Sequence, residues 1–236
     1  MSNFETVAYR DGGTPLTGLL ARPKGPPKAG VVVYPTIMNS TSAVEAKATL
    51  LADAGYVALI ADFYGTNPAD MAESQALAAP LRAEAQAMRD RMRSALIALS
   101  EIAGDIPMAA IGFCMGGQAA LEMAREGADL VLAASFHGLL ETHAPAEPGV
   151  ILSRILVCHG DADPLVPREQ VLRFWEEMDH AGANWHFHSY SGVKHGFTNP
   201  QVPSGMPAIG YDASADRQSW KALNSLLDEC LSAQAQ

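Results

Sequence analysis

The 236-residue chain reads as a single domain, residues 1–236, with a doubly wound, mostly parallel α/β fold: helices on both faces of one sheet and an N-terminal antiparallel hairpin. Three observations predict this. Short runs that are apolar on both faces recur along the chain, as buried parallel strands require. Segments of helical periodicity fall between them. Ahead of both, a polar and apolar alternation turns at Asp11-Gly12-Gly13.

The elements follow in order. Residues 4–9 and 16–22 form the hairpin. Strands at 31–34, 57–61, 108–111, 130–134, 155–158 and 185–190 are interleaved with helices at 42–54, 81–103, 115–126, 167–181 and 213–232. Segment 81–103 shows the helical pattern best. Leu81, Ala85, Met88, Met92, Leu96 and Leu99 share one stripe, while Arg82, Arg89, Arg91 and Arg93 lie mostly off it, and most of these read as solvated charges. Ligands of such a sheet bind beyond the carboxyl ends of its strands, so function is sought in the loops there.

Composition removes several classes. Sixteen basic against 26 acidic residues, spread along the chain, argue against a phosphate-binding surface, so nucleic acid is not expected as a partner. The start, MSNFETVAYRDGG, has neither a basic nor an apolar targeting region, and no apolar run approaches the ~18 residues of a membrane span. No membrane association and a cytoplasmic location are the expectation. Cys114, Cys158 and Cys230 are an odd number at wide spacing without a CxxC, which indicates neither a disulfide framework nor a zinc knuckle.

The chemistry is concentrated in Ile111-Gly112-Phe113-Cys114-Met115-Gly116-Gly117, between a strand and a helix. A chain that reverses within about two residues there holds its middle residue in strained geometry, tolerable when glycines at −2 and +2 keep side chains away. Gly112 and Gly116 occupy those positions. The following helix N-terminus offers unpaired N–H groups and a partial positive charge, both favouring a thiolate at Cys114.

A nucleophile of this kind needs a base and a residue to orient it, and in such turns they come later in the chain, acid before histidine. His159-Gly160-Asp161-Ala162-Asp163-Pro164 follows one strand and Lys194-His195-Gly196-Phe197 follows another. Asp163, further into its loop, is the better orienter; Asp161 reads as a turn cap. His195 can reach over a pocket. His186 and His188 share a strand face, but no third ligand has matching spacing, so no metal is expected. His137 and His159 also end strands and read as satisfied polar residues at the rim.

Together, Gly112-Phe113-Cys114-Met115-Gly116-Gly117, His159-Gly160-Asp161-Ala162-Asp163-Pro164-Leu165-Val166-Pro167 and His195-Gly196-Phe197-Thr198-Asn199-Pro200 resemble the dienelactone hydrolase family of the α/β-hydrolase fold. The resemblance extends to GYVALIADFYG at 55–65 and to the final helix with Trp220. It implies a Cys114-Asp163-His195 triad, oxyanion donors at the N–H groups of Met115 and Ile37, and hydrolysis of small-molecule lactones or related esters without a metal or organic cofactor. It also implies a substrate-binding arginine, for which Arg82 is the candidate. Thr36, His137 and Phe197 complete the candidate substrate contacts, and a monomer or homodimer is expected.

The chain departs from the family at one place. Where characterised members carry a glutamate that keeps the resting thiol neutral, Tyr34-Pro35-Thr36-Ile37-Met38-Asn39 has Thr36. A threonine cannot act as that base, so Cys114 and His195 are expected to rest as a thiolate–imidazolium pair. The alternative reading is a non-catalytic, ligand-binding protein with Cys114 as an oxidation-sensitive switch.

Overall fold

The apolar runs assemble into one eight-stranded sheet in the computed structural model, which describes residues 4–202 and 205–234. The strands are β1 (Glu5–Asp11), β2 (Thr14–Ala21), β3 (Gly30–Tyr34), β4 (Val57–Ile60), β5 (Met108–Phe113), β6 (Leu132–Phe136), β7 (Arg154–Gly160) and β8 (Asn184–Tyr190). Their order is β1-β2-β4-β3-β5-β6-β7-β8. The β1–β2 hairpin and its junction with β4 are antiparallel, and every other pairing is parallel.

Every residue of β3, β4 and β6 is buried, which is why these strands carry no alternation in sequence. Their side chains still alternate between two cores. Val31 and Val33 face α1 (Ser42–Asp53) and α6 (Ala213–Gln234). Val32 and Tyr34 face α2 (Met71–Ala83), α3 (Ala85–Ala103) and α4 (Met115–Arg125). Further along this second face, α5 (Arg168–Ala181) packs on β6 and β7 through Val171, Phe174 and Met178.

Two expectations need correction. Segment 81–103 is not one helix: α2 ends at Ala83, Glu84 is extended (φ −128°, ψ 114°), and α3 begins at Ala85. Pro80 lies inside α2, where proline costs about 3 kcal/mol by propensity. Burial of Ala78 and Leu81, with the Asp70 carboxylate capping the Glu73 N–H at 2.9 Å, helps offset that cost. The strand expected at 130–134 runs instead from 132 to 136, because the apolar stretch there has no internal signal to set its register. That shift puts His137 directly after the strand end, beside Cys114.

Candidate active site

The turn after β5 is as tight as its glycines allow. A Cβ on Gly112 would fall 1.8 Å from the Gly116 carbonyl oxygen, and one on Gly116 would fall 2.0 Å from that of Tyr34. Only hydrogen fits at either place. Cys114 itself sits at φ 57°, ψ −119°, a conformation costly for a residue with a side chain. The surroundings hold it there: the Cys114 N–H points to Phe136 O at 3.1 Å and to His137 Nδ1 at 3.2 Å. The Cys114 carbonyl accepts the Gly117 N–H at 2.9 Å and so opens α4.

His195 comes from the loop after β8 and Asp163 from the loop after β7. The two meet through His195 Nδ1 and Asp163 Oδ2 at 2.7 Å, both side chains almost fully buried. Asp163 is itself positioned by the Leu165 N–H, which donates to Oδ1 at 2.8 Å. With Nδ1 engaged, the buried Nε2 of His195 has no well-formed hydrogen bond among the described residues and is left for the Cys114 side. Asp161 plays a different part: it pairs with Arg168 at 2.7 Å on the surface.

Burial by itself would raise the Cys114 thiol pKa, but the neighbouring His195 charge and the N–H groups of Met115 and Ile37 outweigh it and bring the pKa below the ordinary value. For His195 burial works against protonation, and the Cys114 and Asp163 charges overcome it, so its pKa is raised. The electrostatics therefore favour a thiolate beside an imidazolium. The sulfur lies against the N–H groups of Met115 and Ile37, the pair expected from sequence as oxyanion donors.

The donor on Ile37 is braced by residues that sequence reasoning missed. Tyr64 Oη donates to the Ile37 carbonyl at 3.0 Å. Asn39, at φ 62°, donates to Asp62 Oδ1 at 2.9 Å and accepts the Phe63 N–H at 3.0 Å. The β4 loop thus supports the β3 loop; its sequence signals are that Asp62 to Gly65 follow a strand end and close the GYVALIADFYG stretch at 55–65. Thr36 uses its hydroxyl to accept the Met38 N–H at 3.2 Å, tightening the same turn.

Two cavities meet at Cys114, His195 and Ile37. The larger, about 830 Å³, is lined by Arg82, Gln118, Glu141, His143, Leu165 and the 205–209 segment among others. The smaller, about 290 Å³, is bounded by Thr36, Met38, Val44, His137, Thr198 and their neighbours. Arg82 lies at the large cavity, exposed, with no ion pair among the described residues. Of the other three arginines, Arg89 and Arg91 are mostly buried and paired, with Glu122 at 2.8 Å and Asp11 at 2.7 Å, while Arg93 is partly exposed and pairs with Asp90 and Glu126.

Phe197 and His159 depart from expectation, while His137 is the satisfied rim residue expected, with no nitrogen left for substrate. Phe197 is fully buried, packs edge-on against His137 and Tyr190, and lines neither cavity. His137 borders the small cavity, but both of its nitrogens are already engaged within the protein. His159 is not a satisfied rim residue: it is buried, and neither ring nitrogen has a partner among the described residues. His186 and His188 lie on the edge strand β8, with Arg154 donating to His186 at 3.2 Å. No group of three or more His, Cys, Asp or Glu side chains suited to a metal ion occurs among the described residues. No helix among them is long and apolar enough to cross a membrane.

A sheet of this order, with a strained turn at the end of β5 and a carboxylate–histidine pair at the ends of β7 and β8, has the architecture of an α/β-hydrolase. Residues 16–231 match the model of the dienelactone hydrolase family. The chain belongs to that family, and its class is that of a hydrolase. It is similar to the solved structure of a dienelactone hydrolase-like promiscuous phosphotriesterase from metagenomic libraries, with 34% identity, 97% of this chain and 98% of that one covered, and a TM-score of 0.90. It is also 38% identical over 151 residues to uncharacterized protein K02A2.1 of Caenorhabditis elegans, covering 60% of this chain and 93% of that one. A structure described as a dienelactone hydrolase of Klebsiella pneumoniae, at 18% identity, a TM-score of 0.77, and 95% and 97% coverage, shares the fold.

Proposed function

We propose that the protein hydrolyses small-molecule carboxylic esters or lactones through a thioester on Cys114. The observation that carries this reading is the buried 2.7 Å contact from His195 Nδ1 to Asp163, which leaves Nε2 to face a sulfur set against two N–H donors. In the first half-reaction the thiolate attacks the carbonyl carbon and the oxyanion takes the place of the sulfur at Met115 and Ile37. His195 gives its proton to the departing alkoxide. In the second, neutral His195 takes a proton from water, hydroxide adds to the thioester, and collapse of the adduct releases the acid and restores the thiolate. No metal or organic cofactor enters this scheme.

Sulfur narrows the substrate class. A tetrahedral adduct expels thiolate more readily than an unactivated alkoxide, so plain alkyl esters revert while enol lactones, aryl esters and thioesters go forward. Each oxyanion donor contributes about 3 kcal/mol in comparable sites. Arg82 at the large cavity suits a substrate with an anionic group on that side. A second reading, cleavage of phosphotriesters, is favoured by the 34% identical relative described as a promiscuous phosphotriesterase and by the 830 Å³ cavity.

The test compares Cys114→Ala with the wild type on an enol lactone, a p-nitrophenyl ester and an aryl phosphotriester. A fall of ~10⁴-fold or more in kcat is expected for whichever classes the site serves. Retained turnover in the folded variant would overturn the covalent mechanism.

A further inference from the structure

His137 is a buried ionisable group beside the proposed chemistry to which that mechanism assigns no step. It sits one residue past β6 at φ 42°, a left-handed conformation uncommon for residues with side chains, and is 3% exposed. Its Nδ1 accepts the Cys114 N–H at 3.2 Å, shared with Phe136 O at 3.1 Å. Nδ1 therefore carries no proton, and Nε2 carries one and donates it to Thr198 Oγ1 at 2.9 Å. Thr198 lies three residues past His195, in the same loop. The imidazole also meets the His195 ring edge-on at 5.2 Å and the Phe197 ring edge-on at 5.2 Å.

We infer that neutral His137 is a positioning residue: it ties the backbone of the Cys114 turn to the His195 loop through Thr198 and so sets the sulfur against the catalytic imidazole. The physical case is geometric. Cys114 and His195 come from loops at the ends of β5 and β8, with β6 and β7 between them in the sheet. Among the described contacts, His137 is the side chain that hydrogen-bonds to the backbone of one and to the loop of the other. Only one protonation state serves. A proton on Nδ1 would face the Cys114 N–H and add a second cation beside His195. Burial, the His195 charge and Lys47 on α1 outweigh the pull of the residue's own backbone carbonyl and hold His137 neutral, with its pKa well below the usual histidine value. The ring does not touch substrate through its nitrogens, since both are taken.

The inference rests on Cys114 and His195 acting as a pair, and its test reads the thiol directly as well as turnover. Rates of Cys114 alkylation by iodoacetamide are measured from pH 4 to 9 with the wild type, His137→Phe, Thr198→Val and Thr198→Ser, alongside kcat and KM on a p-nitrophenyl ester. His137→Phe keeps a ring but loses both hydrogen bonds. It is expected to move the alkylation midpoint to higher pH and to lower kcat ~10²-fold, the cost of a misplaced reacting group, with KM little changed. Thr198→Val should move both in the same direction by roughly five- to tenfold in rate, the effect of one hydrogen bond, and Thr198→Ser should restore them.

A folded His137→Phe protein with the wild-type alkylation profile and kcat would overturn the inference. If that variant does not fold, the Thr198→Val and Thr198→Ser pair decides, and indistinguishable profiles overturn it. Failure of the ester mechanism itself would show as turnover retained in Cys114→Ala, a separate outcome.

Discussion

The Cys114 turn and the wall of the large cavity are held in place by opposite means. At the turn, space does the work: Gly112 and Gly116 touch backbone oxygens so closely that no side chain fits, and Cys114 is kept at φ 57° by its neighbours. At the wall, residues 139–146, charge does it. The buried Arg125 donates to Leu140 O at 2.7 Å and pairs with Glu122 at 3.0 Å and Glu177 at 2.8 Å. Arg89 donates to Ala144 O at 2.7 Å and also pairs with Glu122. Gln118 donates to Glu141 O at 3.0 Å. A steric clamp gives one position and fails abruptly, which suits the nucleophile proposed for Cys114. An ionic clamp on loop carbonyls can be varied in steps, which suits the wall of the cavity proposed to hold substrate.

The largest effect should come from breaking the steric side. Gly116→Ala places a methyl group 2.0 Å from Tyr34 O and 2.2 Å from Pro35 O, with backbone on both sides and no flexible end to yield. Urea unfolding should show a loss of about 4 kcal/mol or more, among the larger effects of a single overpacking substitution. A loss below about 1 kcal/mol would mean that the turn can open, and the comparison would fail.

Glu122→Gln sharpens the ionic side. It removes one charge between Arg89 and Arg125 while leaving Arg125 its second partner, Glu177, so the expected cost is about 2 kcal/mol. Steady-state kinetics should show KM rising for bulky esters more than for acetates, while the alkylation profile of Cys114 stays at its wild-type position. An unchanged preference would show that the network holds the fold but not the cavity.

The smallest effect concerns His159, where neither device operates. Burial pushes its pKa below the ordinary histidine value, against the opposing pull of Asp163 and Asp161. The unfolded chain then binds the proton more readily than the folded one. The stability linked to this group is complete above the unfolded value of about 6.5 and is lost as pH falls below it. His159→Phe, beside Phe187, should narrow the difference in urea midpoint between pH 7 and pH 5 relative to the wild type. An equal difference in the two proteins would assign the acid sensitivity to other groups.

Much of this was legible in one dimension. The strands buried on both faces announced themselves as apolar runs, and the turn did so by its glycines, because both constraints act on residues adjacent in the chain. The break at Glu84 was not: Pro80 argues locally against α2, and the packing of Ala78 and Leu81, with the Asp70 cap, overrides it. The start of β6 was misjudged because a continuous apolar stretch has no period from which register can be read. The arginines of α3 were misread for a related reason, since Arg91 and Asp11 lie 80 residues apart.

The sequence by itself determined the alternation of strands and helices, the strained cysteine turn and the order of acid before histidine. These are local patterns, set by side-chain period and backbone sterics. Only the tertiary structure decided that His137 is enclosed between two loops, that Phe197 belongs to the core, and that Tyr64 and Asn39 brace the Ile37 donor. Each of those depends on distances between residues far apart in the chain, which hydrogen bonding and close packing settle only after the sheet has formed.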